Sequence, residues 1–450
     1  MKKVLVANRG EIALRIIRTL REMGIKAVAV YSVVDKDSLH VKFADEAVCI
    51  GQDEASSTYL NIPHIISAAL VMKCDAIHPG YGFLSENYKF AQICKSHNIT
   101  FIGPSPENIR DMGDKVKAKE IARSLGVPLV PSTDVVKNVK EVYDFINRYG
   151  LPVIIKAAGG GGGRGMRVVE KISEVEQKIL QASNEAKNFF SNPDVYVEKL
   201  IPNPKHIEVQ IMGDKNRAYH LFERDCTAQR RHQKIIEEAT SLLPQKVRNS
   251  ILEDALKIAN SIKYTNAGTI EFLYDPQSQQ HYFIEMNTRI QVEHPATEMV
   301  TNTDIVKLQV LSAMNEDLSS LIPSSFSGYA IELRIYAEDS YRFAPSIGNI
   351  TKTYFPSFRD VRVDTAVYNG YNVTQFYDNM ICKLIVKGED RLDAIKRAKI
   401  YLNQVIIEGV NTNIQLLNDI LNDEKYVNYQ YHTRSVDELV LLKSKQEITV

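Results

Sequence analysis

Residues 281–293, His-Tyr-Phe-Ile-Glu-Met-Asn-Thr-Arg-Ile-Gln-Val-Glu, gather reactive groups at a spacing of two. In an extended chain, alternate side chains point to opposite faces. Phe283, Glu285, Asn287, Arg289, Gln291 and Glu293 then share one face, and Tyr282, Ile284, Met286, Thr288, Ile290 and Val292 share the other. The second set is nearly all apolar and predicts a buried face. The first set puts two carboxylates, two amides and a guanidinium in a row. Residues 269–274 are β-branched and aromatic, and the polar loop 275–280 follows them, so the two runs read as a hairpin. A register symmetric about residue 278 places Glu271 opposite Glu285. Like charges directly opposite destabilise a sheet, and a divalent cation would remove that cost. With Asn287 the two carboxylates form an all-oxygen set suited to Mg²⁺ and phosphate. A solvated strand face with a chance acidic pair is the plainer alternative. The extension of the row to Glu293 weighs against it, since solubility does not require so many charges.

A second stretch points to phosphate as well. Residues 152–157 read as a strand that runs into five glycines, 159–163, before a return strand at 168–169. Five glycines between apolar strands are costly unless the backbone must approach something closely. Glycine lets N–H groups close over phosphates without side-chain clash. The Walker pattern G-x-x-x-x-G-K-[ST] is not in the sequence. Lys156 alternates with apolar neighbours beside this loop, which favours a phosphate partner over a surface lysine. The run 223–234 mixes Arg, His and Lys with acids and reads equally as a solvated loop or an anion site. Residues 78–86, at a strand end, read on their own as an ordinary Gly/Pro turn.

These groups need elements to hold them. A strand at 3–7, a helix at 11–23 and a strand at 27–31 make a βαβ unit, which implies a parallel sheet. The pattern continues through a helix near 62–72, a strand at 76–77, a helix near 90–96 and a strand at 100–103. Residues 1–113 therefore read as a doubly wound α/β domain. No G-x-G-x-x-G follows the first strand, so a nicotinamide dinucleotide is not supported. Further expected strands are 194–201 and 207–212, the latter with Glu208 and Gln210 on one face. The C-terminal part reads as α+β, with strands at 331–335 (Glu332 and Arg334 on one face), 348–354, 361–363 and 380–386, and helices at 392–408 and 413–422.

The 450 residues carry no formal net charge, which argues against nucleic-acid binding by bulk charge. The five scattered cysteines lack a C-x-x-C and predict reduced thiols in a cytoplasm, without a zinc site. The N-terminus lacks a signal-peptide pattern, and the longest apolar patch, 65–72, is too short to span a membrane.

Several motifs together resemble one family. They are Ala7-Asn8-Arg9-Gly10-Glu11-Ile12-Ala13, His78 to Asn87, Lys156 through the glycines to Met166, Glu223-Arg-Asp-Cys226, Gln229-Arg-Arg-His-Gln-Lys234, Glu285 to Pro295, and Tyr377-Asp378. With these, the chain is similar over essentially its whole length to the biotin carboxylase branch of the ATP-grasp enzymes. It departs at Ala158, where many relatives have Ser or Thr, and at Ala296, where Val is common. The resemblance implies an N-terminal domain over 1–113, an ATP-grasp domain over 114–325 with a lid at about 131–203, and a C-terminal domain over 326–450. It implies ATP-dependent carboxylation of biotin by bicarbonate through carboxyphosphate.

The resemblance also implies residue roles. Lys115 and Lys156 would hold phosphates, and Gly162 and Gly163 would close over them. Glu198, Lys199, Leu200 and Ile201 would line the adenine pocket, and His206, Gln229 and His232 would contact the nucleotide. Glu271, Glu285 and Asn287 would hold Mg²⁺ or Mn²⁺. Bicarbonate would lie against Lys234, Arg289 and the backbone of Gln291 and Val292, with Glu293 as general base. Arg334 would stabilise the biotin oxygen, with Tyr81 and Asp378 beside it. A rival ATP-grasp ligase, making carbamoyl phosphate or a purine intermediate, would not require 229–234 together with Arg289, Gln291 and Glu293. A nucleotide-binding regulatory subunit would predict loss of Glu293 or Arg334, and both are present. Residues 71–74 only approximate the Met-Lys-Met turn that carries biotin. The biotin would then come on a separate carrier protein, with carboxyltransferase subunits downstream, acetyl-CoA as the default acceptor and a cytoplasmic homodimer as the assembly.

Overall fold

The structure, a computed structural model, describes residues 1–157, 166–190 and 192–447. The glycine loop, with Ala158, Gly162 and Gly163, lies outside these residues. Five parallel strands open the chain: β1 (Lys3–Val6), β2 (Lys26–Tyr31), β3 (Glu46–Cys49), β4 (Ala76–His78) and β5 (Thr100–Phe101), in the order β3-β2-β1-β4-β5. Val4 and Val6 bury into one core and Leu5 into another, so β1 is apolar on both faces. β3 was not expected. It is an edge strand whose side chains are half-buried or exposed, so no apolar run marks it.

The strand order reverses between β1 and β4, where open α/β sheets present ligand loops. There Asn8 Nδ2 donates to the carbonyls of Pro79 and Tyr81, both at 2.7 Å. Gly80 has φ +64°, and a Cβ on it would lie 2.9 Å from Asn8 Nδ2. The 78–86 segment is thus a built loop rather than an ordinary turn.

A small antiparallel sheet follows, β6 (Val153–Ala157), β7 (Met166–Val169) and β8 (Val195–Lys199), in the order β7-β6-β8. The largest sheet has eight strands. In chain order they are β9 (Lys205–Gly213), β10 (Ala218–Arg230), β11 (Gln233–Ala239), β12 (Asn266–Asp275), β13 (Gln280–Asn287), β14 (Tyr329–Tyr336), β17 (Val361–Thr365) and β19 (Met380–Gly388). Side by side they run β13-β12-β9-β10-β11-β14-β19-β17. The C-terminal strands therefore extend the same sheet as β9 to β13.

Three expectations change. Residues 348–354 form two strands, β15 (Gly348–Ile350) and β16 (Lys352–Tyr354), because they pair in different places, with β18 (Tyr371–Val373) and β20 (Ile406–Glu408). The helix expected over 392–408 ends at Leu402, and the β-branched Ile406 and Ile407 turn to that pairing. The run 223–234 is no solvated loop. Glu223 to Arg230 lie within β10, which turns into β11, and Arg224 is fully buried.

The hairpin of β12 and β13 has the expected register where it matters: Thr269 faces Asn287, Ile270 faces Met286 and Glu271 faces Glu285. One residue further toward the turn the register shifts, and Phe272 pairs with Phe283. This bulge changes the faces. Phe283 and Met286 both enter the core against Ile270 and Phe272, while Tyr282 and Ile284 are only half-buried. The expected apolar set of Tyr282, Ile284 and Met286 does not form one face. Strand pairing ends at Asn287, and 288–293 is a loop leading into the helix His294–Thr301.

Candidate active site

One face of the large sheet carries charge, strand after strand. Glu285, Glu271, Glu208 and Arg224 stand in register across β13, β12, β9 and β10. Glu237 faces Glu332 across β11 and β14, and Arg334 faces Lys383 across β14 and β19. Ile207, Val209, Ile270 and Phe272 alternate with the first group and fill the core beneath, which fixes the direction of the charged set.

Lys234 is the centre. Its ammonium lies 2.5 Å from Glu208 Oε2, 2.9 Å from Glu271 Oε1 and 2.8 Å from Glu293 Oε1. Arg224 bonds Glu208 Oε1 at 2.6 Å, Gln210 Oε1 at 2.9 Å and Thr297 Oγ1 at 2.8 Å. Arg334 contacts Glu293 Oε2 at 3.0 Å and also pairs with Glu237. Glu293 is thus clamped between two cations, with its side chain 1 % exposed. Burial opposes its ionised form, but Lys234, Arg334 and Arg224 hold the carboxyl well below the usual range. Burial opposes the charge on Lys234, but Glu208, Glu271 and Glu293 hold its pKa well above the ordinary lysine value. Behind Arg334, burial pushes Glu237 up to about 7 and Glu332 well above the carboxylate range.

At the hairpin end, Glu271 accepts from Asn287 Nδ2 at 2.9 Å and lies 3.1 Å from His206 Nε2. Burial opposes its charge, but Lys234 and His206 depress its pKa strongly. Glu285 pairs with Lys115 at 3.0 Å, and the Lys115 side chain is 73 % exposed. The like-charged pair across the hairpin is therefore met by cations from two sides, Lys234 on Glu271 and the exposed Lys115 on Glu285. Carboxylate groups near Glu271 that could hold a metal also include Glu208, with His206. Glu208 is engaged by Arg224 and Lys234, and Glu271 by Lys234 and His206; Glu285 and Asn287 add oxygen donors of the kind a hard divalent cation takes.

The 288–293 end is a loop. Arg289 Nε donates to Glu86 Oε2 at 2.9 Å and its Nη2 to Asn287 Oδ1 at 3.2 Å, and the guanidinium also contacts the Gln291 amide oxygen. Glu86 Oε1 further accepts from the Thr288 amide at 3.0 Å. Gln291 Nε2 reaches Glu271 Oε1 at 3.4 Å, and the Val292 carbonyl accepts from Lys383 Nζ at 3.0 Å. Nearby, a cavity of about 440 Å³ is lined by residues including Asn8, Arg9, Glu11, Tyr81, Tyr377 and Asp378.

Other expected residues fall around this core. Lys156 pairs with Glu198, and Lys119 approaches the same carboxylate at 3.6 Å. The Lys199 and Leu200 amides donate to Pro131 and Pro152 carbonyls, and Ile201 is buried. Gln229 Nε2 bonds His206 Nδ1 at 2.9 Å. His232 differs: it is exposed in the turn between β10 and β11, outside the buried network, because a left-handed backbone there turns it outward. Glu208, Arg224, Glu86 and Lys383 were not anticipated as site residues. Glu208 had a signal, its alternation with Gln210; Glu86 had only its place in the 78–87 motif, which gave it no partner.

Family descriptions match in three blocks: "Biotin carboxylase, N-terminal domain" over 1–109, "Carbamoyl-phosphate synthase L chain, ATP binding domain" over 114–321, and "Biotin carboxylase C-terminal domain" over 332–438. The middle block alone would suit the rival ligase; the flanking blocks decide against it. Biotin carboxylase 1 of Bacillus subtilis is 47 % identical over 442 residues, covering 97 % of this chain and 98 % of the relative. The biotin carboxylase of Campylobacter jejuni, solved as a β-γ-ATP complex, is 47 % identical with a TM-score of 0.90, over 97 % of this chain and 98 % of that one. The biotin carboxylase domain of a thermophilic 2-oxoglutarate carboxylase, solved with bicarbonate, is 45 % identical with a TM-score of 0.92 over the same shares. A Hydrogenobacter thermophilus domain dimer with MgADP, ADP and bicarbonate is 46 % identical with a TM-score of 0.88, over 97 % of each chain. The chain belongs to the biotin carboxylase family, ligases with an ATP-grasp domain that carboxylate biotin at the expense of ATP.

Proposed function

We propose that the site runs this reaction along the line from Glu285 to Arg334. The observation that carries the reading is the Glu293 carboxylate, ionised between Lys234 and Arg334 and on the same loop as Arg289. Bicarbonate lies against Lys234, the Arg289 fork and the Gln291 and Val292 backbone. Glu293 takes its O–H proton as the bicarbonate oxygen attacks the γ-phosphorus and ADP departs. Lys115 and Lys156 draw away from Glu285 and Glu198 to the phosphates, with Gly162 and Gly163 above them. Mg²⁺ or Mn²⁺ held by Glu271, Glu285 and Asn287 would offset the charge on the phosphate oxygens. Carboxyphosphate breaks down to CO₂ and phosphate, and the phosphate removes the ureido proton of biotin, whose nitrogen adds to CO₂. Arg334 stabilises the enolate-like biotin oxygen, with Tyr81 and Asp378 at the biotin side. Adenine lies by Glu198 to Ile201, with His206, Gln229 and His232 toward the nucleotide.

In this reading the chain divides at 113/114 and 325/326, and a lid over 131–203 excludes water from carboxyphosphate. The biotin arrives on a separate carrier protein, and a carboxyltransferase passes the carboxyl group to acetyl-CoA for fatty acid synthesis in a cytoplasmic homodimer. The dimer in the Hydrogenobacter thermophilus relative supports the assembly. Pyruvate and 2-oxoglutarate carboxylases among the similar structures make those acids the competing acceptors. ADP release from the purified chain with ATP, Mg²⁺ and free biotin tests the core reading. It should depend on bicarbonate, and bicarbonate-independent release would sink it. Identifying the biotinylated protein that co-purifies with the chain tests the acceptor.

A further inference from the structure

The Asn8-Arg9-Gly10-Glu11 motif has no chemical role in the reaction above, yet it reaches the site. Glu11 sits in the first turn of the helix Gly10–Glu22, its side chain 5 % exposed. Its partner, Lys383, lies in the middle of β19 and is completely buried. Lys383 Nζ is 3.2 Å from Glu11 Oε2, 4.0 Å from Asp364 Oδ2 and 3.0 Å from the Val292 carbonyl. The other Glu11 oxygen accepts from the Tyr81 hydroxyl. One buried pair thus touches both sides of the reaction. Its lysine fixes the carbonyl of Val292, and the planar peptide carries that constraint into Glu293. Its carboxylate fixes Tyr81 at the cavity that Glu11, Tyr81 and Asp378 line.

A buried ion pair is a weak source of stability, since apolar residues of similar volume serve as well or better. Positioning accounts for this one. We propose that Glu11 and Lys383 form a strut that sets the bicarbonate loop and the biotin-side Tyr81 at a fixed separation, as positioning residues that touch neither substrate. The inference rests on the reading of 289–293 as the bicarbonate loop.

The test is steady-state kinetics of the full chain with ATP, bicarbonate and free biotin varied in turn. Lys383→Met leaves Glu11 buried and unpaired, so the double variant Glu11→Gln/Lys383→Met is made beside it to restore charge balance. In both, the KM for bicarbonate rises about tenfold, as loss of one charge-assisted hydrogen bond predicts. The KM for ATP stays within about twofold, because the strut does not reach the nucleotide end. Glu11→Gln, which keeps the shape and leaves Lys383 on Val292, raises the KM for biotin more than that for bicarbonate. A double variant with an unchanged bicarbonate KM, or one whose bicarbonate and ATP constants rise together, overturns the strut. If wild-type ADP release does not depend on bicarbonate, the loop reading itself fails and the strut with it.

Discussion

The two ends of the active site are held by different means. At the proposed metal end, Glu271, Glu285 and Asn287 are carried by the ladder of β12 and β13, where Glu271 faces Glu285. Their placement follows from backbone pairing between neighbouring segments. At the proposed bicarbonate end, 288–293 makes no ladder. Glu86 holds Thr288 from 202 residues away, Lys383 holds Val292 from 91, Lys234 holds Glu293 from 59 and Arg334 holds it from 41. The hairpin end is thus positioned by secondary structure, and the 288–293 loop only once remote parts of the chain have docked. Lys234 belongs to both, since it touches Glu271 and Glu293.

That contrast can be broken by substitution. The largest effect should come from Glu293→Gln, which should lower bicarbonate-dependent turnover by about a thousandfold, the scale of a general base. ATP affinity, read by equilibrium binding, should hold, since the ladder is untouched; a matching loss of binding would show that the ends are not separable. Lys234→Met leaves three carboxylates facing one another and should cost about 3–5 kcal/mol in urea unfolding, because it removes one partner of a buried charge set. Arg334→Ala should depress biotin carboxylation more than biotin-independent ATP cleavage. Equal losses would contradict its place at the biotin oxygen. Lys115→Ala should be the mildest. Its side chain is 73 % exposed, so stability should change by under about 0.5 kcal/mol, while the KM for MgATP rises and that for bicarbonate does not.

Acid should strain both ends together. Glu271 and Glu293 have folded pKa values below the ordinary carboxylate value of 4.5. Above that value the unfolded chain is ionised as well, and their contribution to stability is fully present. As pH falls below 4.5 the unfolded state takes up protons first, and the contribution is lost. Glu237 works in the opposite sense: with its pKa raised to about 7, it costs stability as pH rises from 4.5 to 7. Thermal unfolding across pH 3–8 should therefore fall steeply at the acid limb in the wild type. Glu237→Gln should gain relative to it on the neutral side, and a flat difference between the two would count against the assignment.

The sequence by itself determined the kinds of groups and much of their local order. Strict alternation placed Glu271 opposite Glu285, because the side-chain period of a strand is two and a short polar loop fixes the register. The same rule set Glu208 beside Gln210 and Glu332 beside Arg334. It failed at the bulge, where one extra residue moved Phe283 into the core and left Ile284 half-buried. It left 223–234 open between a loop and an anion site, because the charges on its buried strand positions are met by other parts of the chain. Only the tertiary structure decided that Arg224 is buried against Glu208, that Glu86 braces Arg289 and that His232 stands outside the network. These are contacts between segments far apart in the chain, and local patterning carries no information about which distant charge a buried charge will meet.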